Sequence, residues 1–213
     1  MLFNSVDFAY FLPVVFLLYW FVTQNNLKLQ NALLVVVSYF FYGWWDWRFL
    51  FLIAFSSFLD YGIGIALSKT EKENKRKQLL YLSVIVNLGF LGFFKYYNFF
   101  IENFKAAFTF FGHEMNASSL QIILPVGISF YTFQTLSYTI DVYRKQLEPA
   151  KDIVSFLAFV SFFPQLVAGP IERATNLLPQ FYTKRKFEYN NAVNGLRQIL
   201  WGFFKKLVIA DGC

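Results

Sequence analysis

Residues 124–141 read LPVGISFYTFQTLSYTID, and they end a stretch, 115–140, that carries no charged side chain at all. That stretch is long enough to cross a bilayer, which takes about 17–25 residues of apolar character. Pro125 and Gly127 bend or break the helix near its start. Beyond them Gly127, Tyr131, Gln134, Tyr138 and Asp141 recur at steps of four and three, so they share one helix face. Non-apolar groups on one stripe of a membrane helix need hydrogen-bonding company or water. Two readings follow: interhelical bonding between packed spans, or the wall of a polar cavity.

The rest of the chain has the same character. Hydrophobic residues make up 57% and charged residues 15%, with a mean hydropathy of +0.43. Soluble domains carry about 25% charged residues, and 213 residues cannot bury so large an apolar excess inside themselves. Lipid is the solvent this surface asks for. The net charge of +6 would suggest nucleic acid in a soluble protein. Here the cations sit in short stretches between apolar runs, as in membrane proteins, with no long basic face for nucleic acid.

Further uncharged runs lie at 8–22, 29–45, 78–94 and 153–170, and 49–67 holds one charge, Asp60. Tyr and Trp cluster at their edges, as in an interfacial aromatic belt. The pattern predicts an all-α, polytopic transmembrane bundle of about five to seven membrane segments, in a single domain over residues 1–213. Residues 69–77 are the densest basic cluster and read as a solvated cytoplasmic loop, which puts Met1 outside. Two segments look different. In 96–111, Tyr97, Phe100, Phe104, Phe108 and Phe111 oppose Asn98, Glu102, Lys105 and Thr109, the pattern of an amphipathic helix of its own, lying in the interface or against a polar cavity. In 195–209, Leu196, Ile199, Phe203 and Leu207 share a face flanked by Arg197, Lys205 and Lys206. Past Lys95 the sidedness stays open, because the amphipathic segment need not cross.

Catalytic signatures are sparse. Cys213 is the only cysteine and His113 the only histidine, in the polar turn Gly112-His113-Glu114. A lone loop histidine lacks the positioned partner a base needs. No residue set suggests a metal site. In 161–173, SFFPQLVAGPIER, two prolines and a glycine disfavour a regular lipid-facing helix, the alternative being an ordinary helix end followed by a polar loop. Irregular backbone at membrane depth survives only when buried in protein or lining a cavity, which would place Gln165, Glu172 and Arg173 near one. Asp60 is an intramembrane carboxylate, followed by Gly62 and Gly64. It either pairs with a neighbouring helix or faces the polar interior.

The motifs LPVGISFYTFQTLSYTIDVYR (124–144) and FFPQLVAGPIER (162–173) closely resemble the membrane-bound O-acyltransferases, in the bacterial alginate O-acetyltransferase-like branch. FFKYYNFF (93–100), GFFKKLVIAD (202–211), the opening twenty residues, SYFFYGWWDWRFL (38–50) and FLDYGIGIAL (58–67) match as well. The resemblance implies a helical bundle hollowed toward a thin centre. It implies transfer of an acyl group, usually acetyl, to hydroxyls of a cell-surface or exopolysaccharide in the bacterial cytoplasmic (inner) membrane. The donor it implies is acetyl-CoA or another acyl thioester used as substrate, with no bound cofactor, and the partners are export-side acetylation proteins, the polysaccharide acceptor and membrane lipid. Candidate cavity-lining residues are Tyr131, Gln134, Tyr138, Asp141, Gln165, Glu172 and Arg173. The family's catalytic histidine has no counterpart here and is expected beyond Cys213, so the chain reads as a domain truncated on its C-terminal side and inactive alone. A non-catalytic membrane scaffold or a transporter-like subunit is the alternative; an inverted repeat, expected of many transporters, is not seen.

Overall fold

The computed structural model describes residues 3–110, 125, 127–166, 169–170 and 172–210. His113, Phe111 and Cys213 lie outside that set, as does the start of the uncharged 115–140 run. The described residues are helical, with no strand among them. They form α1 (Val6–Leu17), α2 (Leu27–Gly43), α3 (Leu50–Lys69), α4 (Glu73–Phe110) and α5 (Ile128–Tyr143), followed by the short helices α6 (Ile153–Ser161), α7 (Phe163–Leu166) and α8 (Ala174–Leu177), and α9 (Tyr189–Phe204).

Local chemistry sets the helix starts. Ser5, Asn26, Asp46 and Asp152 each accept a backbone N–H of the turn that follows, satisfying donors that have no intrahelical partner. Asp46 also binds the Arg48 guanidinium, at 2.6 Å for the shortest contact. Those hydrogen bonds hold its carboxyl below the usual carboxylate range. Pro13 sits inside α1, and α1 ends in a widened π-type turn, Leu18–Val22, where the Thr23 hydroxyl donates to the carbonyls of Leu18 and Tyr19.

Among the described residues two helices are long and apolar enough to cross a membrane: residues Trp47–Lys69, counting the short 3-10 turn before α3, and α4. α4 corrects one expectation. The amphipathic 96–111 stretch is not a separate helix, for residues 73–110 form one unbroken helix of 38 residues. That is about 57 Å at 1.5 Å per residue, against a hydrocarbon core about 30 Å thick. No Pro falls between Glu73 and Phe110, so nothing in the backbone forces a break. The last turns of α4 leave Phe99, Phe100, Phe104 and Phe110 exposed.

α5 is the centre of the packing. Ten of its sixteen residues are buried, against α3 and α4 on one side and α6 and α8 on the other. α3 and α5 run parallel. Thr139 donates to Asp60, and Tyr138 lies against Gly64, where an added Cβ would stand 2.8 Å from the phenol Cζ. Glycine is therefore required there by the close approach of a ring. α4 is antiparallel to both.

α2 and α6 are also parallel. Asn31 donates to the Ser155 hydroxyl near their N-terminal ends, and Ser38 accepts from the Phe163 N–H further along. After α8 the chain returns to where α6 began: Tyr182 accepts the Lys151 N–H, and the Phe181 carbonyl accepts from Asn31. Residues 153–182 thus rise from one end of the bundle, turn over, and come back to the same end. Burial pushes the Tyr182 phenol up to about 12, against the lowering effect of the hydrogen bond from Lys151.

A second correction concerns residues 69–77. Arg76 does not lie in a solvated loop: it belongs to the first turn of α4 and is 9% exposed. Its Nη1 donates to the carbonyls of Leu67 and Thr70 at the end of α3. Its Nη2 donates to Val142 and Tyr143 at the end of α5, at 3.3 and 2.7 Å. One guanidinium thereby caps two helix C-termini, where unpaired carbonyls and the negative end of the dipole both favour a cation.

Candidate functional site

The five positions at helical spacing on α5 do face inward. Tyr131, Gln134, Tyr138 and Asp141 are all buried, and Gly127 is the left-handed residue that opens the helix. At φ 76 and with a Cβ position 2.6 Å from the Leu166 carbonyl oxygen, Gly127 admits no side chain. The tip of the 153–182 excursion rests on that backbone.

Gln134 explains why the excursion can be irregular. α6 ends at Phe162, whose φ −51 and ψ 104 leave the helical region. Phe163 then donates its N–H to Ser38, not back to Phe159 in the helical manner, and Pro164 has no N–H to give. Gln134 Nε2 donates to the stranded Phe159 carbonyl at 2.8 Å. The same nitrogen lies 3.4 Å from Gln165 Oε1, and Gln165 Nε2 donates to the Pro170 carbonyl at 2.9 Å. Two glutamines and a serine thus supply hydrogen bonds where the broken helix cannot, which is what buried non-helical backbone requires.

The candidates do not form one cluster. Gln134 and Gln165 come together. Tyr138 lies a turn along α5, accepting the Ala150 N–H at 3.0 Å. Asp141 is nearer the far end, 7% exposed, with one carboxylate oxygen buried and without a hydrogen-bond partner. Glu172 is half-buried and Arg173 exposed. Neither side chain makes a hydrogen bond or ion pair among the described residues.

A second polar stripe on α5 went unremarked in the periodicity. Asp60 is 0% exposed. It accepts from Ser83 at 2.5 Å, Asn87 at 2.7 Å and Thr139 at 3.1 Å. Asn87 in turn accepts from Ser56 at 2.6 Å and Thr135 at 3.4 Å. The carboxylate joins α3, α4 and α5 with no cation paired to it among the described residues. The signal was present as Ser83 and Asn87, one turn apart inside the uncharged 78–94 run.

A third polar group ties 178–186 down. Arg185 donates to Gln30 and Asn31, each at 3.2 Å, while its guanidinium lies over the Tyr19 and Phe181 rings. Groups of three or more metal-ligating side chains are absent among the described residues.

No protein-family profile matches the chain, and no solved structure matches it. Curated relatives do. The protein named "Probable alginate O-acetylase AlgI" from Pseudomonas putida is 39% identical over 213 residues, covering 99% of this chain and 43% of the relative. Its namesake from Pseudomonas aeruginosa is 38% identical, with 99% and 40% covered. A peptidoglycan O-acetyltransferase from Helicobacter pylori is 34% identical over 240 residues, with 99% and 45% covered. The chain spans about two fifths of the length of these relatives. Along 99% of its own length the chain is similar to proteins named alginate O-acetylase and peptidoglycan O-acetyltransferase.

Proposed function

We propose that this chain is part of a multi-pass enzyme of the bacterial cytoplasmic membrane that transfers an acetyl group to hydroxyls of an extracellular or cell-wall polysaccharide. The observation that carries the reading is the 39% identity with an alginate O-acetylase across 99% of the chain. The donor is acetyl-CoA or another acyl thioester, and export-side acetylation proteins complete the modification. An acceptor hydroxyl needs a positioned base, which this reading assigns to a histidine outside these 213 residues. The transporter-like and scaffold alternatives have no support among the relatives.

In this reading Tyr131, Gln134, Tyr138, Asp141, Gln165, Glu172 and Arg173 border the acyl-transfer cavity. Gln134 is a positioning residue: its amide holds the Phe159 carbonyl and meets Gln165 at the break between α6 and α7. Acetyl ester on exopolysaccharide is the readout, in a strain deleted for its own O-acetylase and complemented with the gene. We expect restoration by the gene. With Gln134→Leu we expect acetylation to fall more than tenfold at unchanged membrane level, beyond the roughly 1 kcal/mol net of one buried hydrogen bond. No restoration by the gene would overturn acyl transfer. Loss of membrane protein together with activity would reduce Gln134 to packing.

The bundle also supports a membrane sidedness. Because α3 and α5 end together at Arg76, and residues 178–186 return to the start of α2, the cations Lys28, Lys72, Arg144, Lys151 and Lys184 belong to one end. A one-sided excess of Lys and Arg marks the cytoplasmic face. Residues 153–182 then enter and leave from the cytoplasm. Periplasm-dependent reporters fused after Lys77 and after Glu148 should both stay silent, and one fused after Phe110 should be active. Activity after Glu148 with silence after Lys77 would refute the parallel placement of α3 and α5 in the membrane.

A further inference from the structure

We propose that the cytoplasmic ends of α3 and α5 form a binding site for the phosphate headgroup of an anionic phospholipid, with Lys145 as its principal ligand. The proposal rests on the membrane orientation given above, and not on the acyl-transfer chemistry. A cavity of about 330 Å³ opens there, lined by Ser68, Arg76, Lys145, Gln146 and Glu148 together with the apolar Val142, Leu147 and Pro149. α3 is long enough to span and ends at Lys69, so a cavity beside Ser68 stands at headgroup depth. Basic pockets between membrane helices on the cytoplasmic side suit anionic headgroups.

Two helix C-termini at one place would ordinarily repel an anion, through their exposed carbonyls and dipoles. Arg76 removes that objection. Its four donated hydrogen bonds occupy the Leu67, Thr70, Val142 and Tyr143 carbonyls, and no carboxylate pairs with it among the described residues.

The second observation is backbone strain. α5 closes in a Schellman arrangement: Gln146 N–H bonds to the Asp141 carbonyl at 2.9 Å, and Lys145 N–H to Val142 at 3.1 Å. The left-handed position of that motif, normally glycine, holds Lys145 at φ 59. It is the only non-glycine residue with positive φ among those described. A lysine there costs stability that glycine would not, and residues held in such conformations cluster at ligand-binding sites. Its side chain is exposed, lines the cavity, and makes no ion pair with Glu148, the one carboxylate on the rim. Arg144 follows the end of α5 on the same turn and adds to the local positive potential.

The test is thermal unfolding of the purified chain in detergent, titrated with phosphatidylglycerol, phosphatidylcholine or inorganic phosphate. A ligand that binds only the folded state raises the midpoint in a saturable way. We expect phosphatidylglycerol to do so and the other two to have no effect. Lys145→Gly should unfold at the same or a higher temperature without lipid, since glycine suits the conformation, yet bind phosphatidylglycerol about tenfold more weakly or worse. Lys145→Arg should keep most of the response, and Lys145→Asn, which also tolerates the left-handed region, should lose it. An unchanged phosphatidylglycerol response in Lys145→Gly overturns the proposal. So does an equal response to phosphatidylcholine. An equal response to inorganic phosphate moves the ligand from the lipid to a soluble phosphate compound, and the lipid assignment falls.

Discussion

Replacing Asp60 with leucine should destabilise the bundle by about 3–5 kcal/mol. The carboxylate accepts from Ser83, Asn87 and Thr139 on two neighbouring helices, and leucine would take that acceptor from all three, although the Asn87 amide keeps its bond to the Ser83 carbonyl. A stranded buried donor costs about 1–3 kcal/mol; interhelical hydrogen bonds in membranes average nearer 0.6 kcal/mol, which tempers the sum. Ser83→Ala removes one donor and leaves the carboxylate two others, so it should cost about 1 kcal/mol. Reversible unfolding of the purified chain in mixed detergent micelles measures both. If Asp60→Leu unfolds within 1 kcal/mol of the wild type, the three-helix junction does not depend on the carboxylate.

Arg76→Met should cost about 2–4 kcal/mol by the same measurement, because four carbonyls at two helix ends lose the guanidinium, and of these Val142 keeps the Lys145 N–H. Methionine keeps much of the side-chain length and its apolar contact, so the loss isolates the guanidinium. Arg76→Lys should recover only part. An ammonium offers three donors around one point, and cannot reach two carbonyl pairs as a planar fork does. Added salt should change the wild-type stability little at this position, since a buried cation is poorly screened. A methionine variant as stable as the wild type would show that water serves these carbonyls equally well. It would also remove the neutral floor on which the proposed lipid site rests.

Much of the molecule is legible before any coordinates. An apolar excess too large to bury, uncharged runs of membrane length and the absence of any soluble-domain signature follow from composition alone. The inward face of α5 is readable because helical periodicity is a local property: Tyr131, Gln134, Tyr138 and Asp141 must share a face wherever the helix goes. The break near Pro164 is equally local, since proline lacks the N–H that a helix interior needs.

What those side chains touch is another matter. Gln134 bonds a carbonyl twenty-five residues away, Thr139 a carboxylate seventy-nine away, and Arg185 an amide more than one hundred and fifty away. No window of sequence contains both partners, so the inward stripe could be recognised while its division between the excursion, the 144–152 turn and an unpartnered Asp141 could not. Arg76 shows the limit most clearly. In a charged stretch it looks like one more solvated cation, and only the convergence of two helix ends makes its burial favourable. The extent of α4 was likewise open, because a change from apolar to amphipathic pattern does not by itself interrupt backbone hydrogen bonding. Local periodicity and composition therefore determined which segments are helical and which way they face, while the pairing of distant polar groups, possible only once the helices are assembled, decided everything about how they meet.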